Sequence, residues 1–216
     1  MQNNGIFITI SGLDGSGKTT VQNKMQKLLS ELSKKEILCV DGLKPLRYTN
    51  VLRNYAAKEK KDVFELFGEI SLFSFALSLI DNYVNAIKPA LEQGKIVISH
   101  RNDMCCKAYT QLRDYDNKVM PILTELLKVY PKADLHLYCV ADVDTVMKRI
   151  EMRTKSGYVP SINEDYEHLI CIQKNYDILL MEQYSYVEVI DTSGSNKGML
   201  DQTLCNILTE KIGSRL

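Results

Sequence analysis

The stretch that most constrains the fold lies near the start of the chain, where the apolar run 6–10 leads directly into SGLDGSGKTT, residues 11–20. Residues 12–19 match G-x-x-x-x-G-K-[ST], the phosphate-binding loop that joins a buried strand to a helix. Its glycines leave room for backbone N–H groups to turn toward a phosphate. Lys18 would neutralise phosphate charge, and the Thr19 hydroxyl is placed to ligate Mg²⁺. The loop therefore predicts an α/β protein that binds a nucleotide.

An amphipathic helix is expected directly after this loop, because apolar residues recur at helical spacing at positions 21, 25, 28, 29 and 32. The N-terminus of such a helix adds its dipole to the phosphate site. We expect the nucleotide to contact the loop residues Gly12, Asp14, Gly15, Ser16, Gly17, Lys18, Thr19 and Thr20.

The composition excludes several classes of protein. The 216 residues include 27 basic and 27 acidic side chains, so no overall charge favours nucleic acid or an anionic membrane surface. The six cysteines lack the spacing of a disulfide framework or a zinc site, which indicates a reducing, cytoplasmic setting. There is no basic leader segment and no apolar run approaching 18 residues, so we expect neither secretion nor a membrane span.

The length suits one large domain covering residues 1–216. Within it, short apolar runs alternate with helical patterns and are expected to form strands at 6–11, 37–40, 96–99, 135–140 and 186–190. This alternation predicts a parallel sheet in a three-layer α/β sandwich.

Two helical stretches carry specific expectations. Residues 63–87 read as one long, mostly buried helix that ends near Pro89. Its aromatic residues are expected mainly in the core: Phe64, Phe67, Phe73 and Phe75. Pro45 should keep the residues after it out of helix, and a helical break is expected at 114–117.

A basic cluster suggests which kind of phosphate-loop protein this is. No Asn-Lys-x-Asp stretch of a GTPase is present. Most ATPases have an apolar strand that ends in an acid, whereas here the third strand ends in Ser99-His100 and the fourth in Val140-Ala141-Asp142. Arg149, Arg153 and Lys155 lie beside Gly157, which fits the mobile basic lid of a small-molecule kinase. The same cluster also fits a solvated helix end favoured by the helix dipole.

Polar side chains follow the second and third strands, where an α/β enzyme places functional groups. His100, Arg101 and Asp103 follow the third strand, and Asp103 could equally be the N-cap of the next helix. Asp41 follows the second strand, where it could be a general base or a turn-forming residue before Gly42.

Over nearly its whole length the chain resembles the thymidylate kinase family. The resemblance rests on residues 8–20, on 87–99 leading to the Arg of an Asp-Arg pair, and on Ile190-Asp191-Thr192-Ser193, which is similar to an Asp-Ala-Ser loop. It implies a P-loop kinase fold of the α/β/α type, with a five-stranded parallel sheet in the order 2-3-1-4-5. It also implies ATP and Mg²⁺ as cofactors, with Asp191 and Thr192 near the adenine and Thr19 on the metal.

The resemblance also implies roles in the acceptor site. Asp14 would approach the sugar hydroxyl of the acceptor nucleotide, and Phe75 would stack on its base. The implied catalytic residues are Lys18, Arg101, Arg149 and Arg153, the last two within a lid at about 149–163. The implied substrate-binding residues are Asp14, Arg47, Phe75, Arg101, Asp103, Cys106 and Tyr109.

Three departures from the family pattern affect the acceptor site and the metal. His100 replaces the Asp that helps to hold Mg²⁺, and neutral imidazole suits that hard cation poorly. The family's Arg-Glu-Pro-Gly-Gly-Thr segment is replaced by residues 43–48, and Leu79 stands where the family has an Arg that clamps the acceptor phosphate. Lys44, Arg47 or Arg53 could replace that charge.

The expected activity is therefore transfer of the γ-phosphoryl of ATP to a nucleoside monophosphate, with thymidylate the leading candidate. Two other functions stay open, namely a kinase for a hydroxyl acceptor with Asp41 as base, and a nucleotide-binding regulatory protein weakened at His100. The expected partners are small nucleotides, without nucleic acid or membrane. Family members are commonly homodimers, and the apolar helix at 73–80 could supply that face.

Overall fold

The structure, a computed structural model, describes residues 5–44, 47–112, 118–158, 160–184, 186–194 and 197–216. Five parallel strands form one sheet in the order β2-β3-β1-β4-β5. They are β1 Ile6–Gly12, β2 Ile37–Asp41, β3 Ile96–His100, β4 Leu135–Val140 and β5 Glu188–Asp191. The predicted parallel sheet and its strand order are confirmed.

Helices cover both faces of this sheet. Before the third strand they are α1 Lys18–Leu32, α2 Arg47–Lys58, α3 Val63–Phe67, α4 Glu69–Asn82, a π-helical turn Tyr83–Ile87 and α5 Lys88–Glu92. After it they are α6 Asp103–Gln111, α7 Val119–Leu127, α8 Val143–Lys155, α9 Tyr166–Glu182 and α10 Lys197–Ile212, with short 3₁₀ turns at Ile162–Glu164 and Gly213–Arg215.

The central strand β1 is buried on both faces because its residues alternate between two apolar layers. Ile6, Ile8 and Ile10 pack against α1 and α10. Phe7 belongs to the opposite layer, which contains residues of α4, α5 and α7. This double burial explains why β1 reads as a continuous apolar run in the sequence.

The register brings the carboxyl ends of the strands together at one edge of the sheet. Ile10 is level with His100 of β3, and His100 is level with Asp41 of β2. On the other side of β1, Gly12 is level with Cys139 of β4. Loops that leave these ends open into the ligand crevice of an open α/β sheet.

The prediction of one continuous helix at 63–87 is wrong, because the helix is interrupted after Phe67 and the helical path ends later than expected, at Glu92. Gly68 adopts φ 49° and ψ −127°, which separates α3 from α4. Near the other end, Pro89 does not stop the helix, because it occupies the first turn of α5, where its missing N–H is tolerated. The π-helical turn before it lets the helical path continue to Glu92.

Other boundaries also differ from the sequence expectation. Helix α2 was not predicted, and β5 begins at Glu188 rather than at Tyr186. The expectation that Pro45 keeps the next few residues out of helix is wrong from Arg47 onward, because α2 begins there. Pro45 itself and the expected break at 114–117 lie outside the residues that the structure describes.

Within the described residues, one helical path, Glu69–Glu92, is long and apolar enough to cross a membrane by length and composition. Of its most apolar window, 44% is buried inside the protein. Buried residues along it include Leu72, Ala76 and Leu79, which lie in the core. We therefore interpret this path as a core helix.

Candidate active site

The phosphate-binding loop curls tightly between β1 and α1. Gly12 has φ 139°, and a Cβ added there would lie 2.4 Å from the carbonyl oxygen of Cys139 and 2.6 Å from Ser16 Oγ. Only glycine fits this approach of loop to sheet. Ser16 Oγ is buried without a hydrogen-bond partner among the described residues, so a polar group is available within the loop.

Lys18 is the basic side chain of this loop, and it is 7% exposed. Its Nζ donates to the carbonyl oxygens of Gly12 at 3.0 Å and Leu13 at 2.7 Å. The Asp14 carboxylate lies 3.5 Å away. These acceptors hold the ammonium group at the centre of the loop.

The loop after β5 braces the phosphate-binding loop from the side. The Thr192 hydroxyl lies 2.6 Å from the carbonyl oxygen of Ser16 and 2.9 Å from that of Val140, and can donate to either. Arg149 donates to the carbonyl oxygens of Gly15 at 3.2 Å and Thr192 at 2.5 Å. Arg149 therefore joins the two loops that were expected to contact ATP.

An ion pair connects this loop to the end of β3. Arg101 Nη2 donates to Asp14 Oδ1 at 2.8 Å, and the Tyr109 hydroxyl lies 3.4 Å from Asp14 Oδ2. Burial alone would raise the pKa of Asp14, but the charges of Arg101 and Lys18 outweigh burial and lower that pKa to about 2. Asp14 is therefore an anion at neutral pH.

Asp41 and His100 lie beside this ion pair. Asp41 Oδ1 accepts a hydrogen bond from the backbone N–H of Leu43 at 3.1 Å, so its turn-forming role is present. The same oxygen lies 3.9 Å from His100 Nδ1 and 3.9 Å from Arg101 Nε. Burial lowers the pKa of His100 despite the opposing charge of Asp41, which keeps the imidazole neutral at pH 7.

A cavity of about 580 Å³ opens next to these charged groups. Its polar end contains Asp14, Asp41 and Arg101. Its other wall carries Phe64 and Phe75, whose rings stack 6.4 Å apart with an interplanar angle of 16°. A cleft with an apolar, aromatic wall and a few convergent charges is typical of a small-ligand site.

A comparison of the sequence with known protein families identifies the family of this chain. Residues 10–202 match the family model described as thymidylate kinase. This chain belongs to the thymidylate kinase family. The match covers most of the chain, including the phosphate-binding loop, the end of β3 and the lid segment.

Two curated relatives and one solved structure agree with this assignment. The thymidylate kinase of Blochmanniella pennsylvanica is 30% identical over 153 residues, which cover 69% of this chain and 71% of the relative. A probable thymidylate kinase of Thermococcus gammatolerans is 27% identical over 199 residues, covering 88% and 90%. The solved thymidylate kinase of Candida albicans shares the fold, with a TM-score of 0.71, 20% identity, and coverage of 97% of this chain and 93% of that one.

Several side chains expected from the family pattern line the cavity. Asp14, Phe75, Arg101, Cys106 and Tyr109 are all part of its wall. Burial raises the pKa of the Cys106 thiol to about 12, so this residue contributes shape rather than a nucleophile.

Two expected acceptor residues do not line the cavity. Arg47 begins α2 on the surface, and its Nε lies 4.0 Å from Asp81. Asp103 accepts a hydrogen bond from the Tyr184 hydroxyl at 2.5 Å and lines a different cavity. The alternative expectation, that Asp103 is the N-cap of α6, is wrong, because Asn102 caps that helix by accepting from the backbone N–H of Cys105.

Leu79 also points away from the acceptor cavity. It is fully buried in the apolar layer that contains Phe7 and Val97. Cationic groups reach the cavity from α2 and the loops on either side of it, through Lys44, Arg53 and Lys61. The Arg53 guanidinium lies 5.7 Å from the centre of the Phe75 ring.

The lid segment after α8 covers part of this cavity. Glu164, whose side chain is 1% exposed, accepts hydrogen bonds from the Tyr158 hydroxyl and the Ser161 N–H at 2.7 Å each. Arg153 Nη2 lies 3.2 Å from the same carboxylate, and its guanidinium stacks over the Tyr158 ring at 4.7 Å. We call this group of residues, Arg153, Tyr158, Ser161 and Glu164, the lid latch.

The side chains of Thr19 and Asp41 are of the kinds that bind Mg²⁺ together with substrate phosphates. Thr19 is exposed in the first turn of α1, and Asp41 supplies a carboxylate in the cavity wall. The described residues contain no group of three or more His, Cys, Asp or Glu side chains that could hold a metal alone. Because Mg²⁺ keeps several waters and uses substrate phosphates, it needs few ligands from the protein.

Sequence reasoning missed several residues of this site. Phe64 was expected in the core, yet it is half-buried and lines the cavity together with Lys61. Glu164 and Tyr158 were not singled out, although the pattern Ser161-x-x-Glu164 is a capping-box signal that could have found the latch.

Proposed function

We propose that this protein transfers the γ-phosphoryl group of ATP to thymidylate, giving dTDP and ADP. The observation that carries the proposal is the continuity of the phosphate-binding loop with the cavity. Gly12 and Asp14 belong to the loop and also line the cavity wall. A phosphate held by the loop and an acceptor held in the cavity would therefore meet at one point.

The chemistry requires positioning and charge neutralisation rather than a covalent intermediate. Lys18 and the N–H groups of the loop bind the β- and γ-phosphates. Arg101, fixed by Asp14, presents its remaining N–H groups to the phosphoryl group in transfer. An acceptor phosphate is already ionised at neutral pH, so no general base is needed. Mg²⁺ held through Thr19 and Asp41 would neutralise phosphate charge.

Arg149 and Arg153 support this reaction in different ways. Arg149 donates to the carbonyl oxygens of Gly15 and Thr192, which holds the two ATP-binding loops next to each other. Arg153 belongs to the lid and adds positive charge near Asp14, whose pKa it helps to lower. Asp191, exposed beside Thr192, is the residue that we assign to the adenosine end of ATP.

We assign the acceptor phosphate to Arg53, together with Lys44. A monophosphate carries close to two negative charges, which must be matched when it leaves water. Leu79 cannot supply a positive charge, and its side chain is buried in the core. Arg53 and Lys44 line the cavity, whereas Arg47 does not.

An acceptor screen with ATP and Mg²⁺, measured as ADP release, tests the proposed reaction. We expect thymidylate to be the best acceptor, and Lys18→Ala to lower its turnover by about 10²- to 10³-fold. Lys27→Ala, on the exposed face of α1, is the matched control and should keep full activity. Preferred turnover of a nucleoside hydroxyl, or nucleotide binding without turnover, would overturn the proposal.

The assignment of Arg53 has its own test. Arg53→Gln should raise the KM for thymidylate about tenfold, since one charged hydrogen bond to phosphate is lost. The KM for ATP should not change. Lys58→Gln, on the same helix, is the matched control. If Arg47→Gln raises the KM for thymidylate and Arg53→Gln does not, the assignment is wrong.

We further propose a cytoplasmic protein that works as one kinase domain, residues 1–216, with its lid at about 149–163. All six cysteines are free, which suits a reducing compartment. Its partners are nucleotides and a second copy of the chain.

A further inference from the structure

A second cavity, separate from the active site, lies where α6 and α7 meet the sheet. Its volume is about 220 Å³, and it shares no lining residue with the active-site cavity. We call it the His136 cavity, after the histidine at the start of β4 that forms part of its wall. Its other lining residues used below are Thr9, Asp103, Lys107, Tyr130 and Lys132.

Two hydroxyl groups at this cavity are buried and have no partner within hydrogen-bond geometry in the described part of the chain. Thr9 is 1% exposed and Tyr130 is 7% exposed. The Ser99 hydroxyl lies near that of Tyr130 but outside hydrogen-bond geometry. Buried hydroxyls are nearly always satisfied by a protein group, a water or a ligand, so these two mark the cavity as a polar site.

His136 presents a third donor. Its Nε2 lies 2.8 Å from Asn102 Nδ2, which can only donate, so Nε2 accepts. Ser11 Oγ lies 2.7 Å from the same nitrogen and donates to Asn102 Oδ1. Burial lowers the pKa of His136 to about 3, so the ring is neutral and carries its proton on Nδ1. His136 therefore adds an N–H donor to the residues that line this cavity.

The charges around the cavity favour an anion. Lys107 donates to the amide oxygen of Gln183, and Lys132 lies 3.8 Å from the centre of the Tyr186 ring. Asp103 offsets one of these two charges, and its carboxylate already accepts from the Tyr184 hydroxyl. The remaining lysine of the wall, Lys128, is paired with Glu125.

We propose that the His136 cavity binds a small tetrahedral oxyanion, namely a phosphate group, through the hydroxyls of Thr9 and Tyr130, His136 Nδ1–H and the Lys107 and Lys132 ammonium groups. Donors outnumber acceptors in this wall, which is the pattern that recognises a phosphate. The volume suits a free phosphate ion or a small phosphate ester and is too small for a nucleotide. This site does not depend on which acceptor the kinase uses.

Nitrogen-15-labelled full-length protein, titrated with sodium phosphate at constant ionic strength, tests the site by NMR. We expect saturable shifts of the His136 imidazole signals and of the backbone amides of Thr9 and Lys107. Phosphate bound at the phosphate-binding loop shifts the amides of residues 15–19 instead, so the two events are resolved. The Lys18→Ala protein should keep the response of the His136 cavity.

Thr9→Val and Tyr130→Phe remove one hydroxyl each and nearly preserve shape, and each should weaken phosphate binding at this cavity about tenfold. Lys27→Ala is the control and should not change the affinity. A parallel titration with glycerol 3-phosphate separates the two sources, since tighter binding of the ester identifies a phosphate ester as the ligand. If neither titrant gives saturable shifts at His136 in the wild-type protein, or if only residues 15–19 respond, the proposal is wrong.

Discussion

At the scale of single residues, Arg101 carries the most information about the site. Its backbone has φ 77°, an unusual value for a residue other than glycine. The conformation is held because the Arg101 N–H donates to the carbonyl oxygen of Ile10, and its side chain pairs with Asp14. Such strain is found where the surrounding structure fixes a functional side chain.

Replacing Arg101 by Lys separates the guanidinium from the backbone. Both residues have the same steric cost at positive φ, so Arg101→Lys keeps the strain but loses the planar fork. We expect kcat/KM for both substrates to fall about 10²-fold or more, with little change in melting temperature. Steady-state kinetics and a thermal melt check this, and unchanged kinetics would make Arg101 a structural residue.

Residues within local motifs could be predicted, and residues set by tertiary packing could not. Lys18 and Asp14 are fixed by the spacing of one loop, so their positions follow from the sequence alone. Arg53 was one of three candidates for the acceptor phosphate, and the sequence could not choose among them, because Arg53 reaches the cavity through the packing of α2 beside α4. Arg47, six residues earlier, has the same chemistry and lies outside the cavity wall.

At the scale of elements, strands were easier to predict than helices. Strands such as β1 and β4 are buried nearly throughout, so each appears in the sequence as a short continuous apolar run that is typical of a buried strand. The bounds of the helices between 63 and 92 depend on Gly68 and Pro89, and the sequence around each of these residues is compatible with two structures. Glycine can end a helix or be tolerated inside it, and proline can stop a helix or begin one.

The lid latch leads to a prediction at this scale. Glu164→Gln keeps acceptors for Tyr158 and Ser161 but removes the charge that pairs with Arg153. We expect the KM for ATP to rise about tenfold, and protease cleavage within 154–161 to become faster, since the amide NH2 that takes the place of one carboxylate oxygen cannot accept from Arg153 and that charged hydrogen bond is lost. Glu151→Gln, exposed on α8, is the matched control. Unchanged cleavage would mean that the latch does not hold the lid.

At the scale of the whole molecule, the outer face of α4 and of the π-helical turn after it is apolar. Ile70 is 62% exposed, Leu77 41% and Val84 48%, and their seven-residue spacing puts them on one side of the helical path. A stripe of this kind suits a helix-to-helix contact between two copies of the chain.

The homodimer that we propose can be tested by light scattering. We expect a mass of about twice 24.6 kDa for the wild-type protein and a monomer for Leu77→Glu, because a charge is buried without a partner at the contact. Met181→Glu, on an exposed apolar residue of α9, should remain dimeric. A monomeric wild-type protein would exclude this use of the face.

The position of β1 at the centre of the sheet has a consequence during synthesis on the ribosome. Its neighbours are β3 and β4, and Asp134, which accepts from the N–H of Phe7 just before β4 begins, lies 127 residues further along the chain. At typical elongation rates this stretch takes about 6 to 25 seconds to make. The first strand made therefore waits longest for its second neighbour, and its apolar residues need protection from aggregation during that interval.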